Sequence, residues 1–149
     1  MCNHFQCGSP VRCVIAFGGN IGNPDETFRL AWNDLQSAGL VIDKISTVIT
    51  TKPLGCPDGT PDFRNGVLIA QWSHSPKQLL HLCQSLEVKY GRPQNHPRNV
   101  SRTLDLDIIL FGTLHSDDPE LILPHPRAKE RDFVCIPLAE TAPDLLALL

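Results

Sequence analysis

Two aspartates separated by a single residue are the side chains in this sequence whose spacing most clearly suggests chemistry. They belong to the segment RTLDLDIILF at positions 102–111, where acidic and aliphatic residues alternate before the segment becomes fully apolar. Alternation with a period of two predicts a strand that carries Asp105 and Asp107 on one face and aliphatic residues on the other. Same-face positions lie about 6.5–7 Å apart. Two carboxylates at this spacing can share a hard divalent cation or hold a pair of them.

We expect this strand to lie in the interior of a sheet, because it continues into the apolar run from Ile108 to Phe111. Burying two acids on one face costs free energy unless they are paired or bind a metal. The alternative is an edge strand whose acids lie on a solvated outer face, which is the usual position of Asp. The apolar continuation favours the functional interpretation.

Three arginines, Arg92, Arg98 and Arg102, lie in or just after the loop at 92–101 that precedes the strand. Most surface arginines are solvated and contribute little. Arginine is nevertheless the residue best suited to bidentate contacts with phosphate. Cations on one side and metal-binding acids on the other would suit a polyphosphate neutralised by Mg2+.

The length of 149 residues and the formal net charge of -3 indicate one globular domain without a general attraction to nucleic acid or membranes. We expect residues 1–10 to form a flexible extension and residues 11–149 to form the domain. The sequence lacks both a membrane-length apolar run and an N-terminal secretory segment, which predicts a cytoplasmic protein. None of its six cysteines forms a Cys-x-x-Cys pair, so a zinc or disulfide framework is not expected.

The hydrophobic pattern predicts elements in the order strand, helix, strand, strand, helix, strand. They cover residues 11–17, 24–37, 40–50, 63–72, 76–90 and 103–111. We expect Val88 on the apolar side of the second helix. A hairpin pairing Thr113–Leu114 with Leu121–Leu123 should follow, and then a third helix from about residue 127 that Pro137 bends or divides.

Taken together, these features resemble the 6-hydroxymethyl-7,8-dihydropterin pyrophosphokinase family of folate biosynthesis. The family signature Arg-x-x-Asp-x-Asp followed by aliphatic residues matches positions 102–109. Further matches keep their order and spacing over about residues 11–145. They are Phe17-Gly18-Gly19-Asn20, Pro53-Leu54-Gly55, Pro61-Asp62-Phe63-Arg64-Asn65, Glu87, Gly91-Arg92, Arg98, Pro124-His125 and Arg131-Asp132-Phe133. Each match alone is weak, but the whole series is specific.

The resemblance implies an α+β fold with a ferredoxin-like core, in which an antiparallel sheet carries helices on both sides as an α/β/α sandwich. The element order predicted from the hydrophobic pattern agrees with it. The resemblance also implies ATP-dependent diphosphorylation of the hydroxymethyl group of a reduced pterin, with release of AMP. Two Mg2+ ions and ATP as co-substrate are expected. We expect small-molecule partners only, no nucleic acid, no membrane, and a monomer.

The resemblance further implies roles for individual residues. Catalytic roles fall to Arg92, Arg102, Asp105 and Asp107, and the two aspartates would hold the metal ions. ATP contacts fall to Glu87, Arg92, Arg98, Arg102, Ile108, His125 and Arg131. Pterin contacts fall to Thr51, Pro53, Leu54, Phe63, Asn65 and Phe133, with the two phenylalanines stacking on the heterocycle and Asn65 bonding its polar edge.

Without the resemblance, several of these residues have simpler interpretations. Phe63 and Phe133 would be ordinary core aromatics and Asn65 a cap at the end of a strand. Glu87 would be a solvated helix residue, and His125 would belong to a surface turn.

Other functions also remain open on sequence grounds. A related kinase for another pterin or alcohol would use the same phosphate and metal residues. A non-catalytic ligand-binding domain has little reason to keep the acid pair, and RNA binding through the sheet face is disfavoured by acidic strands. Gln94, Asn99 and Ser101 differ from the best-known members, which predicts a difference in loop closure over ATP.

Overall fold

The computed structural model describes residues 8–52, 55, 58–91 and 104–149. Within these residues the chain forms seven strands and three α-helices, as follows. They are β1 (Val11–Gly19), α1 (Pro24–Ser37), β2 (Val41–Ile45), β3 (Ile49–Thr51), β4 (Phe63–Trp72), α2 (Pro76–Lys89), β5 (Asp105–Phe111), β6 (Ser116–Asp118), β7 (Leu121–Leu123) and α3 (Asp132–Thr141). The main sheet has the antiparallel order β2-β4-β1-β5, and β3 also pairs with β4. This is the predicted ferredoxin-like arrangement of an α+β fold.

The first two helices cover one face of the main sheet. Each begins with a local capping signal: Asn23 accepts a hydrogen bond from the Glu26 amide at 3.3 Å, and Ser75 forms a reciprocal capping box with Gln78. The buried residues of this layer come from both helices and from alternate positions of the strands. They are Cys13, Ile15, Phe17, Phe28, Ala31, Leu35, Leu79, Cys83, Leu86, Leu106 and Ile108, among others.

The third helix covers the opposite face of the sheet. A separate hydrophobic core forms there between the strands and the C-terminal part of the chain. It includes Val14, Ala16, Val67, Ile69, Ile109, Leu110, Val134, Leu138, Ala142 and Leu145. Helices on both faces confirm the predicted α/β/α sandwich. No helix in the described ranges is long and apolar enough to cross a membrane.

A β-bulge in β5 changes the direction of its side chains. Val14 pairs with Leu110 and the next residue, Ile15, pairs with Ile108, so Ile109 is the extra residue on β5. Both Ile109 and Leu110 therefore face the α3 core, whereas Phe111 returns to the α1 and α2 side. Such bulges locally bend and twist a strand. Here the bulge separates the acidic half of β5 from its fully apolar half.

The expectation that the acidic strand is interior was wrong. In the described part of the chain, β5 is the last strand of its sheet and pairs only with β1. Its apolar residues are buried by the two helix layers rather than by strands on both sides. Its outer edge is partly covered, because the His125 amide donates to the Ile109 carbonyl at 2.9 Å.

The segment predicted as one strand over residues 40–50 forms two strands, β2 and β3. The break occurs at Ser46, whose amide donates to the Val67 carbonyl at 3.0 Å and whose hydroxyl accepts from the Val67 amide at 2.9 Å. A side chain thus takes the place of one backbone acceptor in the ladder. Ser46 is only 5% exposed, so its hydroxyl supplies the hydrogen bond that the buried Val67 amide needs.

Three smaller predictions also differ from the structure. The hairpin uses Ser116–Asp118 rather than Thr113–Leu114, because the Asp118 carboxylate accepts from the Glu120 amide at 2.9 Å and closes the turn there. The third helix begins at Asp132 rather than near residue 127, and a short 3-10 turn over Ala128–Glu130 precedes it; Pro137 lies within this helix and does not divide it. Val88 is 53% exposed, since the buried positions of α2 follow the spacing of Leu79, Cys83 and Leu86 instead.

We predict that Ser46→Ala destabilises the protein by about 1–3 kcal/mol, because the buried Val67 amide loses its acceptor. Urea unfolding measures the change in the free energy of unfolding. Ser85→Ala is the matched control, since the Ser85 hydroxyl is exposed and its loss should cost less than about 0.5 kcal/mol. Equal, small effects of both substitutions would contradict the role given to Ser46.

Candidate active site

The candidate site is organised around a row of three residues on neighbouring strands. Gly18 of β1 pairs with Asn65 of β4 on one side and with Asp105 of β5 on the other. Directly opposed residues of antiparallel strands point to the same face, and neighbouring strands lie about 4.8 Å apart. Asn65 and Asp105 therefore lie on one face with only a glycine between them. A Cβ at Gly18 would come within 2.5 Å of the Asn65 Oδ1 atom, so the close approach requires glycine here.

The two predicted metal ligands lie on the same face as Asn65. Asp107 pairs with Ala16, two positions along β1 from Gly18, which places Asp107 beside Asp105 on the α3 face. Asp105 is half-buried and Asp107 is exposed. Neither is needed to fill a core, because the aliphatic residues between and after them do so. Across the described ranges, His, Cys, Asp and Glu form no cluster of three or more that could hold a metal by itself.

Part of the predicted pterin-contact set gathers at the start of β4. Phe63, Asn65 and the buried Val67 share one face, and Thr51 of β3 pairs with Phe63. The Asn65 Nδ2 atom donates to the Thr51 hydroxyl at 3.1 Å. Burial along this face changes from half-buried at Phe63 and Asn65 to complete at Val67, so this end of the face is less buried than the α3 core. The hydrogen bond within the sheet replaces the simpler interpretation of Asn65 as a strand-end cap.

Two further contacts hold the start of β4 and the loop before it. The Arg64 guanidinium binds both carboxylate oxygens of Asp25, at 3.0 and 2.9 Å, and also donates to the Thr50 hydroxyl at 3.1 Å. This fastens β4 to β3 and to the first turn of α1. Asn20, which is 4% exposed, donates to the Pro61 carbonyl at 2.9 Å and ties the end of β1 to the loop before β4.

His125 lies beside the acid pair at the outer edge of β5. Burial lowers the pKa of the imidazole, the charge of Asp107 raises it, and the cations Arg131 and Arg127 lower it again. The net effect is a lowered pKa, which keeps the ring neutral at pH 7. The Nδ1 atom accepts from the Arg127 amide at 3.3 Å, so the neutral ring carries its proton on Nε2. His125 is therefore a neutral donor next to a carboxylate, and it also begins a turn that its carbonyl closes by accepting from the Ala128 amide at 3.2 Å.

A cleft of about 220 Å³ lies between the edge of β5, helix α2 and the hairpin of β6 and β7. Asp107, Glu120 and His125 are its charged and polar residues, and Ile108 is among its apolar residues. Two larger grooves, of about 510 and 320 Å³, adjoin α1 and contain none of the predicted site residues. The smaller cleft joins two predicted ATP contacts, Ile108 and His125, to Asp107.

The predicted contacts at the start of α3 lie close to each other. The Arg131 guanidinium is 5.4 Å from the centre of the Phe133 ring, a distance at which a cation interacts with an aromatic face. Phe133 is half-buried and packs against the edge of the α3 core. Arg131 also acts on the pKa of His125, so these three residues form one group.

Glu87 is placed differently from the other predicted ATP contacts. It is 8% exposed in the last turns of α2, and its Oε2 atom accepts from the Leu106 amide at 2.8 Å. The interpretation as a solvated helix residue was therefore wrong. Glu87 does not line the cleft that contains Asp107 and His125.

The remaining predicted residues, Arg92, Arg98, Arg102, Pro53 and Leu54, lie outside the described residues. The structure also adds site residues that sequence reasoning missed. Leu80, Leu121 and Ile122 line the cleft beside His125. The apolar run at 121–123 was a visible signal for a strand, but no local pattern indicates that it meets Leu80 of α2.

We predict that Asp107→Asn lowers the pKa of His125 further, because the substitution removes the charge that raises it. An NMR titration of the His125 ring in metal-free protein measures the shift. Asp117→Asn, on the exposed part of the hairpin, is the control and should leave the His125 titration unchanged. A His125 pKa that stays the same or rises in the Asp107 variant would show that the carboxylate does not act on this ring.

Comparisons with known proteins agree with this geometry. Residues 14–143 match the family model described as 7,8-dihydro-6-hydroxymethylpterin-pyrophosphokinase (HPPK). Three similar proteins are named 2-amino-4-hydroxy-6-hydroxymethyldihydropteridine pyrophosphokinase. That of Bacillus subtilis is 40% identical over 127 residues, covering 85% of this chain and 75% of the relative. That of Pseudomonas aeruginosa is 39% identical over 137 residues, covering 90% and 82%. That of Synechocystis sp. is 36% identical over 139 residues, covering 91% and 70%. The chain belongs to the 7,8-dihydro-6-hydroxymethylpterin-pyrophosphokinase family.

Proposed function

We propose that this chain transfers a pyrophosphoryl group from ATP to the hydroxymethyl group of 6-hydroxymethyl-7,8-dihydropterin, giving the pterin diphosphate and AMP in folate biosynthesis. The row of Asn65, Gly18 and Asp105 is the observation that carries the proposal. It brings an amide suited to a heterocycle and a carboxylate suited to a metal onto one half-buried end of a sheet face. Family membership supplies the reaction class.

The acid pair fits Mg2+ by its chemistry. Mg2+ takes oxygen ligands and is usually bound through one or two carboxylates together with substrate phosphates and water. Asp105 and Asp107 provide two such carboxylates on one face. We assign to this pair two Mg2+ ions shared with the triphosphate. Bound Mg2+ would neutralise phosphate charge and lower the pKa of the substrate hydroxyl.

The pterin is assigned to the end of the sheet at Asn65. The Asn65 amide offers both a donor and an acceptor to the polar edge of the heterocycle, and Thr51 fixes its orientation. Phe63 and Phe133 are half-buried and present apolar rings at the boundary of the α3 core. A flat heterocycle held there would be shielded from water on its faces.

The phosphates and the adenosine are assigned to the region of His125 and the adjoining cleft. Neutral His125 would donate from Nε2 to a phosphate oxygen, and the Arg131 guanidinium would add a positive charge. The apolar side of the cleft, with Ile108, would receive the adenosine. From the family resemblance, Arg92, Arg98 and Arg102 would contribute further phosphate contacts.

In the proposed reaction the hydroxymethyl oxygen forms a bond to the β-phosphorus of ATP. The bond from that phosphorus to the oxygen bridging the α- and β-phosphates breaks, AMP leaves with this oxygen, and the hydroxyl proton passes to solvent. The protein side chains remain unmodified. Their contribution is to hold the two substrates in line and to stabilise the charge on the transferred group.

We predict that the protein, ATP, Mg2+ and 6-hydroxymethyl-7,8-dihydropterin give AMP and a pterin diphosphate in equal amounts. Chromatography with mass detection identifies both products. ADP with a pterin monophosphate would instead mean transfer of a single phosphoryl group to the same substrate, and the proposed bond cleavage would then be wrong.

Asp107→Ala is the matching negative variant for this assay. We expect it to fold and to lose at least about a hundredfold in turnover, since a bound metal supplies several kcal/mol of transition-state stabilisation. Asp117→Ala removes an exposed carboxylate from the hairpin and should keep full activity. AMP production that persists unchanged in the Asp107 variant would exclude this residue as a metal ligand.

We predict that Asn65→Ala raises KM for the pterin by about tenfold, the order expected for loss of a buried hydrogen bond. KM for ATP should change little, because Asn65 lies across Gly18 from the acid pair. Steady-state kinetics with each substrate varied in turn separates the two constants. Gln71→Ala, at the other end of β4, is the control, and equal increases in both constants for Asn65→Ala would argue for a general distortion instead.

A further inference from the structure

The buried carboxylate of Glu87 meets the backbone of β5 between the two proposed metal ligands. Its Oε2 atom accepts from the amide of Leu106 at 2.8 Å. Leu106 is the residue that separates Asp105 from Asp107. A carboxylate only 8% exposed is costly unless strong hydrogen bonds satisfy it, and a bond to an ionised acceptor is stronger than a neutral one.

The Leu106 amide points away from β1, because it donates to a side chain of α2. It therefore lies on the outer edge of β5, where in the described part of the chain no further strand pairs with it. Glu87 supplies the acceptor that a neighbouring strand would otherwise provide. The bond fixes the peptide group that joins Asp105 to Leu106, and with it the relative direction of the two aspartates.

Two observations argue against a direct contact between Glu87 and ATP. Glu87 does not line the cleft that contains Asp107 and His125. It approaches from α2, on the side of the sheet where Leu106 is buried, whereas the aspartates face the other side. A carboxylate is also a poor neighbour for a polyphosphate, since like charges repel.

We propose that Glu87 is a positioning residue that holds the Asp105–Asp107 segment in the geometry that binds Mg2+, and that it acts through the Leu106 amide. This inference rests on the proposed function. Substitution of residues that orient metal ligands without binding the metal themselves commonly changes metal affinity by about 10- to 100-fold. A deficit in metal binding, without a deficit in ATP contact, is therefore the expected signature.

Two substitutions separate the effect of the length of the Glu87 side chain from the effect of its charge. Glu87→Gln keeps an oxygen at the same distance but removes the charge, whereas Glu87→Asp keeps the charge and shortens the side chain by one methylene. We expect the Asp variant to need about 10- to 100-fold more Mg2+ for half-maximal turnover. The Gln variant should need less than about fivefold more, because a neutral acceptor forms a weaker bond. KM for ATP at saturating Mg2+ should change little in either variant.

Two measurements independent of turnover accompany the kinetics. Electron paramagnetic resonance of Mn2+ with α,β-methylene-ATP measures metal binding without reaction. Amide hydrogen exchange measures protection of Leu106 relative to Ile69 of β4, and this protection should fall in Glu87→Asp and persist in Glu87→Gln. Leu86→Ala is the control for general loosening of α2, because it removes a neighbouring buried side chain and leaves the acceptor in place.

The outcomes are distinct. A larger loss of metal affinity in the Gln variant than in the Asp variant would show that the charge of Glu87 rather than the length of its side chain matters, and would overturn the proposal. An increase in KM for ATP with unchanged metal binding would instead make Glu87 an ATP contact. A wild-type protein that forms no AMP would refute the proposed function, while Mn2+ binding and Leu106 exchange would still decide whether Glu87 positions the acid pair.

Discussion

The close approach of the Asn65 side chain to the backbone of Gly18 is the constraint on which the site depends. Because Gly18 has no Cβ, the amide can lie over the middle strand, and Asp105 follows on the next strand. A Cβ at this position would come within 2.5 Å of the Asn65 Oδ1 atom and would displace the amide from this place. The heterocycle site at Asn65 and the metal site at Asp105 are then two strand spacings, about 10 Å, apart.

The two faces of the sheet differ in how completely they are buried. The α1 and α2 face is packed along its length, whereas on the α3 face β4 is buried at Val67 and Ile69 but only half-buried at Phe63 and Asn65. The polar side chains of Asn65 and Asp105 occupy the half-buried end of this face. The Arg64 contact with Asp25 and the Asn20 contact with Pro61 fasten the margins of this end without occupying it. Rigid strands thus carry the polar groups.

Much of the architecture could be predicted from sequence because its signals are local. The boundaries of α1 and β4 follow from a capping residue, a leading proline and a dense apolar run, and both agree with the structure. The alternation around Asp105 and Asp107 was equally local, so the acid pair could be identified before any fold was known. The resemblance to a known family then supplied roles that residue chemistry alone left open.

The larger errors share one physical cause, which is dependence on partners distant in the chain. The break at Ser46 depends on a hydroxyl that bonds Val67, 21 residues away. The buried position of Glu87 depends on the Leu106 amide, 19 residues away. The edge position of β5 depends on which strands pair, and a continuous apolar run cannot distinguish burial by helices from burial by neighbouring strands.

The edge position of β5 has a consequence for how the protein behaves in a crowded solution. An uncovered strand edge is a template for pairing with another chain, and aggregation commonly begins there. On β5 the Leu106 amide is already bonded to Glu87 and the Ile109 carbonyl to the His125 amide. The bulge at Ile109 also interrupts the regular repeat that an incoming strand would need. The contacts that shape the site therefore also protect the chain against association through this edge.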